Sequence, residues 1–200
     1  MRGHYTRLME SYARGCALGI VKLHNSSDIK AVLMHDYDSF NPDLICALAG
    51  VVGEDNVLMV EPMKLHTTFK IGGPADLLVK PQDPQQLVRV LDTCTFAETP
   101  VTVVGNGSDL LVSDRGIRGV VVLLRENMAD VRIEGTRVIA QAGALLRDVA
   151  LAAADAGLSG LEPLWGIPAT VGGACFMNAG AYGGQTSDVL ESVDVYVPSK

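Results

Sequence analysis

The chain has 200 residues and a mass of 21.2 kDa, with 48% hydrophobic and 20% charged residues, enough apolar content to bury the core of one domain or two small subdomains. Its formal net charge of -7 and pI of about 5.0 exclude an overall basic field that would draw nucleic acid or an anionic membrane, and leave open only a local pocket for phosphate. The longest apolar runs, residues 101–104 and 120–124, fall far short of the ~18 residues a spanning helix needs, and Arg2, Arg7, Glu10 and Arg14 interrupt the apolar core a signal peptide requires, so neither is expected.

Cys16, Cys46, Cys94 and Cys175 lie far apart and form neither a C-x-x-C pair nor a Cys/His zinc spacing. They read as reduced thiols of a cytoplasmic protein, and no metal site is expected. Residues 1–41 show weak periodicity, a turn at residues 24–28 and two histidines, His24 and His35, in unremarkable settings, so they read as a loosely docked extension.

From residue 42 the elements become regular. Asn41-Pro42 offers an N-cap followed by proline at the first helical position, and Leu44, Ile45, Leu48, Val51 and Val52 recur at helical spacing until Gly53. Residues 67–79 read as extended chain, a turn at residues 72–74 and a strand over 75–79. Asp83-Pro84 then caps a helix through about Cys94. The β-branched run 101–104 delivers a glycine turn, and residues 119–124 form a second buried strand. Residues 131–134 and 137–142, separated by Gly135-Thr136, alternate as a hairpin, and an alanine-rich helix over 145–156 stops at Gly157. Residues 160–184 are rich in glycine with little periodicity, and 189–197 resume a strand pattern. This order argues for α+β rather than a doubly wound parallel sheet.

Two segments carry chemistry. In Gly105, Asn106, Gly107, Ser108 and Asp109 the glycines let successive backbone N–H groups turn inward as a nest for phosphate oxygens, although such turns also occur in proteins that bind nothing. The P-loop lysine is missing and nothing after Gly107 completes G-x-G-x-x-G. In the second segment Gly166, Ile167, Pro168, Gly172, Gly173, Asn178, Gly180, Ala181 and Tyr182 lie in a long irregular stretch whose apolar residues argue against disorder and for ligand contact through backbone.

Together with Thr67-Thr68-Phe69-Lys70-Ile71-Gly72-Gly73-Pro74-Ala75-Asp76, these segments resemble the three consecutive flavin-domain signatures of the UDP-N-acetylenolpyruvoylglucosamine reductase family, over about residues 54–200. The resemblance implies the two-subdomain FAD-binding fold of vanillyl-alcohol oxidase. It assigns residues 42–69 to a helix and lead-in, 70–124 to a first FAD-binding subdomain and 125–200 to a second, incomplete one, with the C-terminal substrate domain absent. The 105–109 turn is expected to meet the FAD pyrophosphate and the 166–184 segment to line the flavin and ribityl chain. Asp109, Ala169 and Trp165 depart from the family pattern, and a carboxylate beside a diphosphate is tolerable only if it points away.

Trp165 reads as a packed core side chain. His66 also matches the family and reads as structural, holding the loop that leads to the flavin. Tyr182 either contacts flavin or substrate or packs its loop.

The resemblance further implies hydride transfer from NADPH through FAD to the enolpyruvyl ether of a UDP-sugar in cell-wall synthesis, with no protein partner indicated. The family's proton donor is a serine supported by an arginine and a glutamate. All three follow the region matching 189–197, so no catalytic residue is assigned within this chain, and the chain is expected to be a fragment of impaired activity. Another FAD oxidase of the same fold and a non-enzymatic flavin-binding remnant are the alternatives.

Overall fold

The structure is a computed structural model that describes residues 41–197. The turn at 24–28, the two histidines and the docking of the extension lie outside the described residues.

Helix α1 (Pro42–Val52) starts as its sequence dictates: the Asn41 side chain accepts from the N–H groups of Asp43 and Leu44 at 3.0 and 3.4 Å, and Pro42 follows in the first turn. Its buried face is Leu44, Ile45, Leu48, Ala49 and Val52, and Gly53 at φ 85° ends it.

Strand β1 (Val57–Pro62) was not legible in the sequence. It pairs antiparallel with β2 (Pro74–Val79), which runs parallel to β4 (Ile117–Leu123), which in turn is parallel to β3 (Val101–Val104). The sheet order is therefore β1-β2-β4-β3, and α2 (Pro84–Phe96), capped by Asp83 on the Gln86 N–H, connects β2 to β3.

Both faces of this sheet are buried, and the period of two sorts the side chains between them except at the irregularity between Ala75 and Leu77. Leu77, Val79, Val120 and Val122 join α1 and α2 in one core that includes Leu48, Val90 and Cys94. Ala75, Leu78, Val121 and Leu123 face a second core closed by Met63 and Val112, which belong to the loops on that side. The glycine turn leaves β3 on the same side as these loops, because Val104, the residue before it, packs in this second core.

The expected hairpin is β5 (Val131–Glu134) and β6 (Arg137–Ala140), turning at Gly135, and α3 (Leu146–Asp155) follows. Residues 160–184 are more regular than their glycine content suggested. They contain a 3-10 turn (Glu162–Leu164), helix α4 (Val171–Met177) and a minimal hairpin of β7 (Gly180–Ala181) and β8 (Gly184–Gln185). Helix α4 hides from periodicity because only Ala174 of its seven residues is buried.

Residues 191–197 are not a strand, contrary to their alternating pattern. Alternation fits a residue to a pleat, but a strand also needs a hydrogen-bonding neighbour, and among the described residues none pairs with this segment. Arg137 grips Glu191 through Nε at 2.8 Å and through its second nitrogen at 2.5 Å, while Val193, Val195 and Val197 stay exposed.

Cys46 is disulfide-bonded, with its partner outside the described residues, so the reading of four reduced thiols is corrected. Spacing along the chain could not show this, because a disulfide depends on proximity in space. Cys94 and Cys175 are free. No described helix is long and apolar enough to cross a membrane.

Candidate cofactor site

Three separate stretches of chain meet at the turn that follows β3. Gly107 adopts φ +60°, and a Cβ there would lie 2.0 Å from the His66 carbonyl oxygen. Its own carbonyl accepts from the Thr68 N–H at 3.1 Å. One residue earlier, the Asn106 side-chain NH₂ donates to the Pro168 carbonyl at 2.7 Å. At Gly105 a Cβ would lie 2.1 Å from Thr170 Oγ1. Glycine at 105 and 107 is therefore required because the 66–68 and 168–170 segments approach too closely for a side chain, and at 107 also because of the left-handed backbone.

Thr170, 2% exposed, caps α4 through Oγ1 on the Gly173 N–H at 3.4 Å. Around it the chain is woven: Leu146 N–H donates to the Ala169 carbonyl, Val171 N–H to Ala144 and Gly172 N–H to Ala142, at 3.0, 2.8 and 2.8 Å. Gly172 presses on Ala142, where an added Cβ would come within 2.9 Å. Ile167 packs beside Leu146, Leu164 and Ala174.

Of the remaining sequence candidates, Ser108 is half-buried and Asp109 exposed, while Gly166 and Gly173 are exposed backbone. Asn178 is committed to a local turn, donating to Gln185 at 3.1 Å and accepting from the Ser187 N–H at 2.9 Å. Gly180 needs its hydrogen because a Cβ would meet the Gly184 carbonyl at 2.8 Å, and Ala181 pairs with Gly184 across the same hairpin. Tyr182 stands at the hairpin tip, 92% exposed with φ 52°, so it does not pack its loop. Trp165 is likewise no core residue. At 52% exposure it borders a surface groove with Leu151 and Leu158, because Leu164, its neighbour, takes the buried place.

Sequence reasoning missed Glu61 and Thr170. Glu61 is a carboxylate at 8% exposure, bonded to His66 Nε2 at 2.8 Å. A threonine directly before Val171-Gly172-Gly173 was the available capping signal for Thr170.

The turn fits a polar cofactor on one observation: Asn106 Oδ1 is a buried acceptor with no partner among the described residues. Cys175, on α4, has its thiol pushed up by burial. No described group of three His, Cys, Asp or Glu side chains could hold a metal ion.

The chain belongs to the FAD binding domain family, whose match spans residues 75–199, and so to a flavin-binding class of protein. More particularly, it is similar to UDP-N-acetylenolpyruvoylglucosamine reductases. It is 51% identical to that of Alkaliphilus metalliredigens over 145 residues, covering 72% of this chain and 48% of the relative. It is 48% identical to that of Clostridium botulinum (strain Hall) over 162 residues, covering 81% and 51%.

Among solved structures, the reductase (MurB) of Thermus caldophilus aligns at TM-score 0.53 and 39% identity, over 66% of this chain and 45% of that one. Alkyldihydroxyacetonephosphate synthase aligns at TM-score 0.60 and 18% identity, over 75% and 32%, which speaks to the fold alone. The α+β FAD-binding fold and the expected resemblance are borne out. The chain spans about half the length of the curated relatives it matches.

Proposed function

We propose that this chain is the FAD-holding part of a reductase that converts UDP-N-acetylglucosamine enolpyruvate to UDP-N-acetylmuramate with NADPH, in the cytoplasm, for peptidoglycan synthesis. The observation that carries the reading is the convergence of residues 66–68, 105–107 and 168–170 on one turn, since these are the three segments on which the family resemblance rests.

Gly105, Asn106, Gly107 and Ser108 are the residues proposed to hold the cofactor diphosphate, with backbone N–H groups as donors and the Ser108 hydroxyl as a further one. Asp109 follows them as an exposed residue. Gly166, Ile167, Pro168, Gly172 and Gly173 line the ribityl and flavin region, where Cβ-free backbone admits a flat ring. The hairpin carrying Asn178, Gly180, Ala181 and Tyr182 forms the rim. FAD, when bound, supplies the two-electron carrier between nicotinamide and the enolpyruvyl double bond.

Reduction of that double bond also needs a positioned acid, and no residue of this chain matches the family's serine, arginine or glutamate.

Titrating FAD into the purified chain tests the cofactor reading: quenched flavin fluorescence and a visible absorbance band that survives gel filtration are expected, and a folded chain that leaves FAD free refutes it. Complementation of a strain lacking the reductase, by this chain alone and by this chain extended to the relatives' length, separates an enzyme part from a non-enzymatic remnant. Growth only with the extended chain supports the enzyme part.

A further inference from the structure

We infer that Glu61 and His66 are a positioning pair that fixes the 105–107 turn for its ligand, acting through the main chain of residues 66–68. The inference deepens the FAD reading of that turn and rests on it.

Strand β1 is apolar until Glu61, and the residue before that carboxylate has an unusual backbone. Val60 takes φ 53°, a left-handed conformation that β-branched residues seldom adopt. The pairings on either side, Met59 with Leu77 and Glu61 with Ala75, are kept. Val60 and Glu61 are both buried, at 6% and 8% exposure, in a sheet covered on both faces. An unfavourable backbone at Val60 thus accompanies the burial of an acid one residue later.

Glu61 meets His66 across the short turn Met63–Leu65. The carboxylate can only accept, so the proton of the 2.8 Å bond lies on His66 Nε2, and both side chains are 11% exposed. The His66 carbonyl abuts the glycine turn: a Cβ at Gly107 would fall 2.0 Å from its oxygen. Two residues on, the Thr68 N–H donates to the Gly107 carbonyl at 3.1 Å.

The loop beyond is tied back to itself, with Thr67 Oγ1 donating to the Ile71 carbonyl at 2.9 Å and the Lys70 N–H to the Thr67 carbonyl at 3.1 Å. Holding the His66 ring therefore sets the direction of the carbonyl against which Gly107 is seated.

A buried hydrogen-bonded pair of a carboxylate and an imidazole adds little net stability over an apolar pair of similar volume. What Glu61 and His66 supply that two leucines cannot is a fixed direction for the residue that abuts Gly107.

That distinction is testable by comparing thermal stability with FAD affinity, measured by flavin fluorescence on the full chain. E61L/H66L is expected to melt near the unsubstituted chain yet bind FAD about tenfold more weakly, the size of effect of one lost oriented contact. His66→Gln places an amide where Nε2 was and is expected to bind within about threefold of the unsubstituted chain. His66→Ala, by contrast, follows the double variant.

A folded E61L/H66L that binds FAD as tightly as the unsubstituted chain overturns the inference. If that variant does not fold, equal FAD affinity in H66A and H66Q overturns it. Failure of the unsubstituted chain to bind FAD removes the proposed function and this inference together, whereas tight binding by the unsubstituted chain and all variants removes only the inference.

Discussion

Substituting Gly107 with alanine isolates the contact that joins the glycine turn to the His66 loop, because a matched control exists in the same chain. Gly107 and Gly135 have nearly the same backbone, φ +60° and +63°, but a Cβ at 107 lies 2.0 Å from a backbone oxygen while one at 135 meets nothing within 4 Å. Both alanines carry the left-handed penalty of about 1–2 kcal/mol. At 107 the two backbones must also part from 2.0 Å to the 3.4 Å of ordinary contact, a movement of about 1.4 Å.

That movement strains the Thr68 N–H bond to the Gly107 carbonyl, worth about 1 kcal/mol, and adds about 1–3 kcal/mol of overpacking. G107A is therefore expected to cost about 3–6 kcal/mol and G135A about 1–2 kcal/mol. At roughly 2–4 °C per kcal/mol for a chain of this size, the melting temperatures separate by several degrees in calorimetry. FAD affinity falls more than about tenfold in G107A and stays unchanged in G135A. Equal melting temperatures for the two variants refute the reasoning, since only the contact distinguishes them.

A double-mutant cycle checks the second contact of the turn. Gly105→Ala directs a Cβ to 2.1 Å from Thr170 Oγ1, whereas Thr170→Ala removes that oxygen and leaves the residue 170 Cβ at 3.2 Å. T170A alone is expected to lose about 1 kcal/mol of helix capping, and G105A/T170A to be more stable than the sum of the two single losses predicts, by about 1 kcal/mol or more. Strict additivity in urea melts contradicts the contact. Burial pushes the Cys94 thiol up to about 11 from an ordinary 9.0. A group whose folded value is raised stabilises the fold fully below the unfolded value and loses that contribution as pH rises through the folded one. Stability is therefore expected to decline between pH 9 and about 11, by an amount on the order of 2–3 kcal/mol, and Cys94→Ala to flatten that decline while costing stability at all pH values through its cavity. An unchanged slope in C94A, measured by denaturant titration at several pH values, refutes the assignment to Cys94.

Local chemistry alone determined much of this protein. Asn41-Pro42 and Asp83-Pro84 start helices where capping oxygens and proline's fixed φ require them, and residues 101–104 and 117–123 are strands because β-branched side chains fill both faces of a sheet. The glycines at 105 and 107 were legible as a turn suited to a phosphate nest, but the protein segments that press on them were not. The 66–68 and 168–170 segments come from far upstream and far downstream of that turn, and only folding makes them its neighbours.

Tertiary structure decided the rest. The unusual backbone at Val60 has no glycine to announce it, since a left-handed valine persists only where its surroundings hold it. Glu61 is buried because His66 meets it, Trp165 is exposed because Leu164 fills the core beside it, and Cys46 is bridged by a partner that no spacing pattern marks. Residues 189–197 alternate like a strand yet remain unpaired among the described residues, because alternation records which faces a segment could present, whereas pairing depends on which backbone lies alongside it.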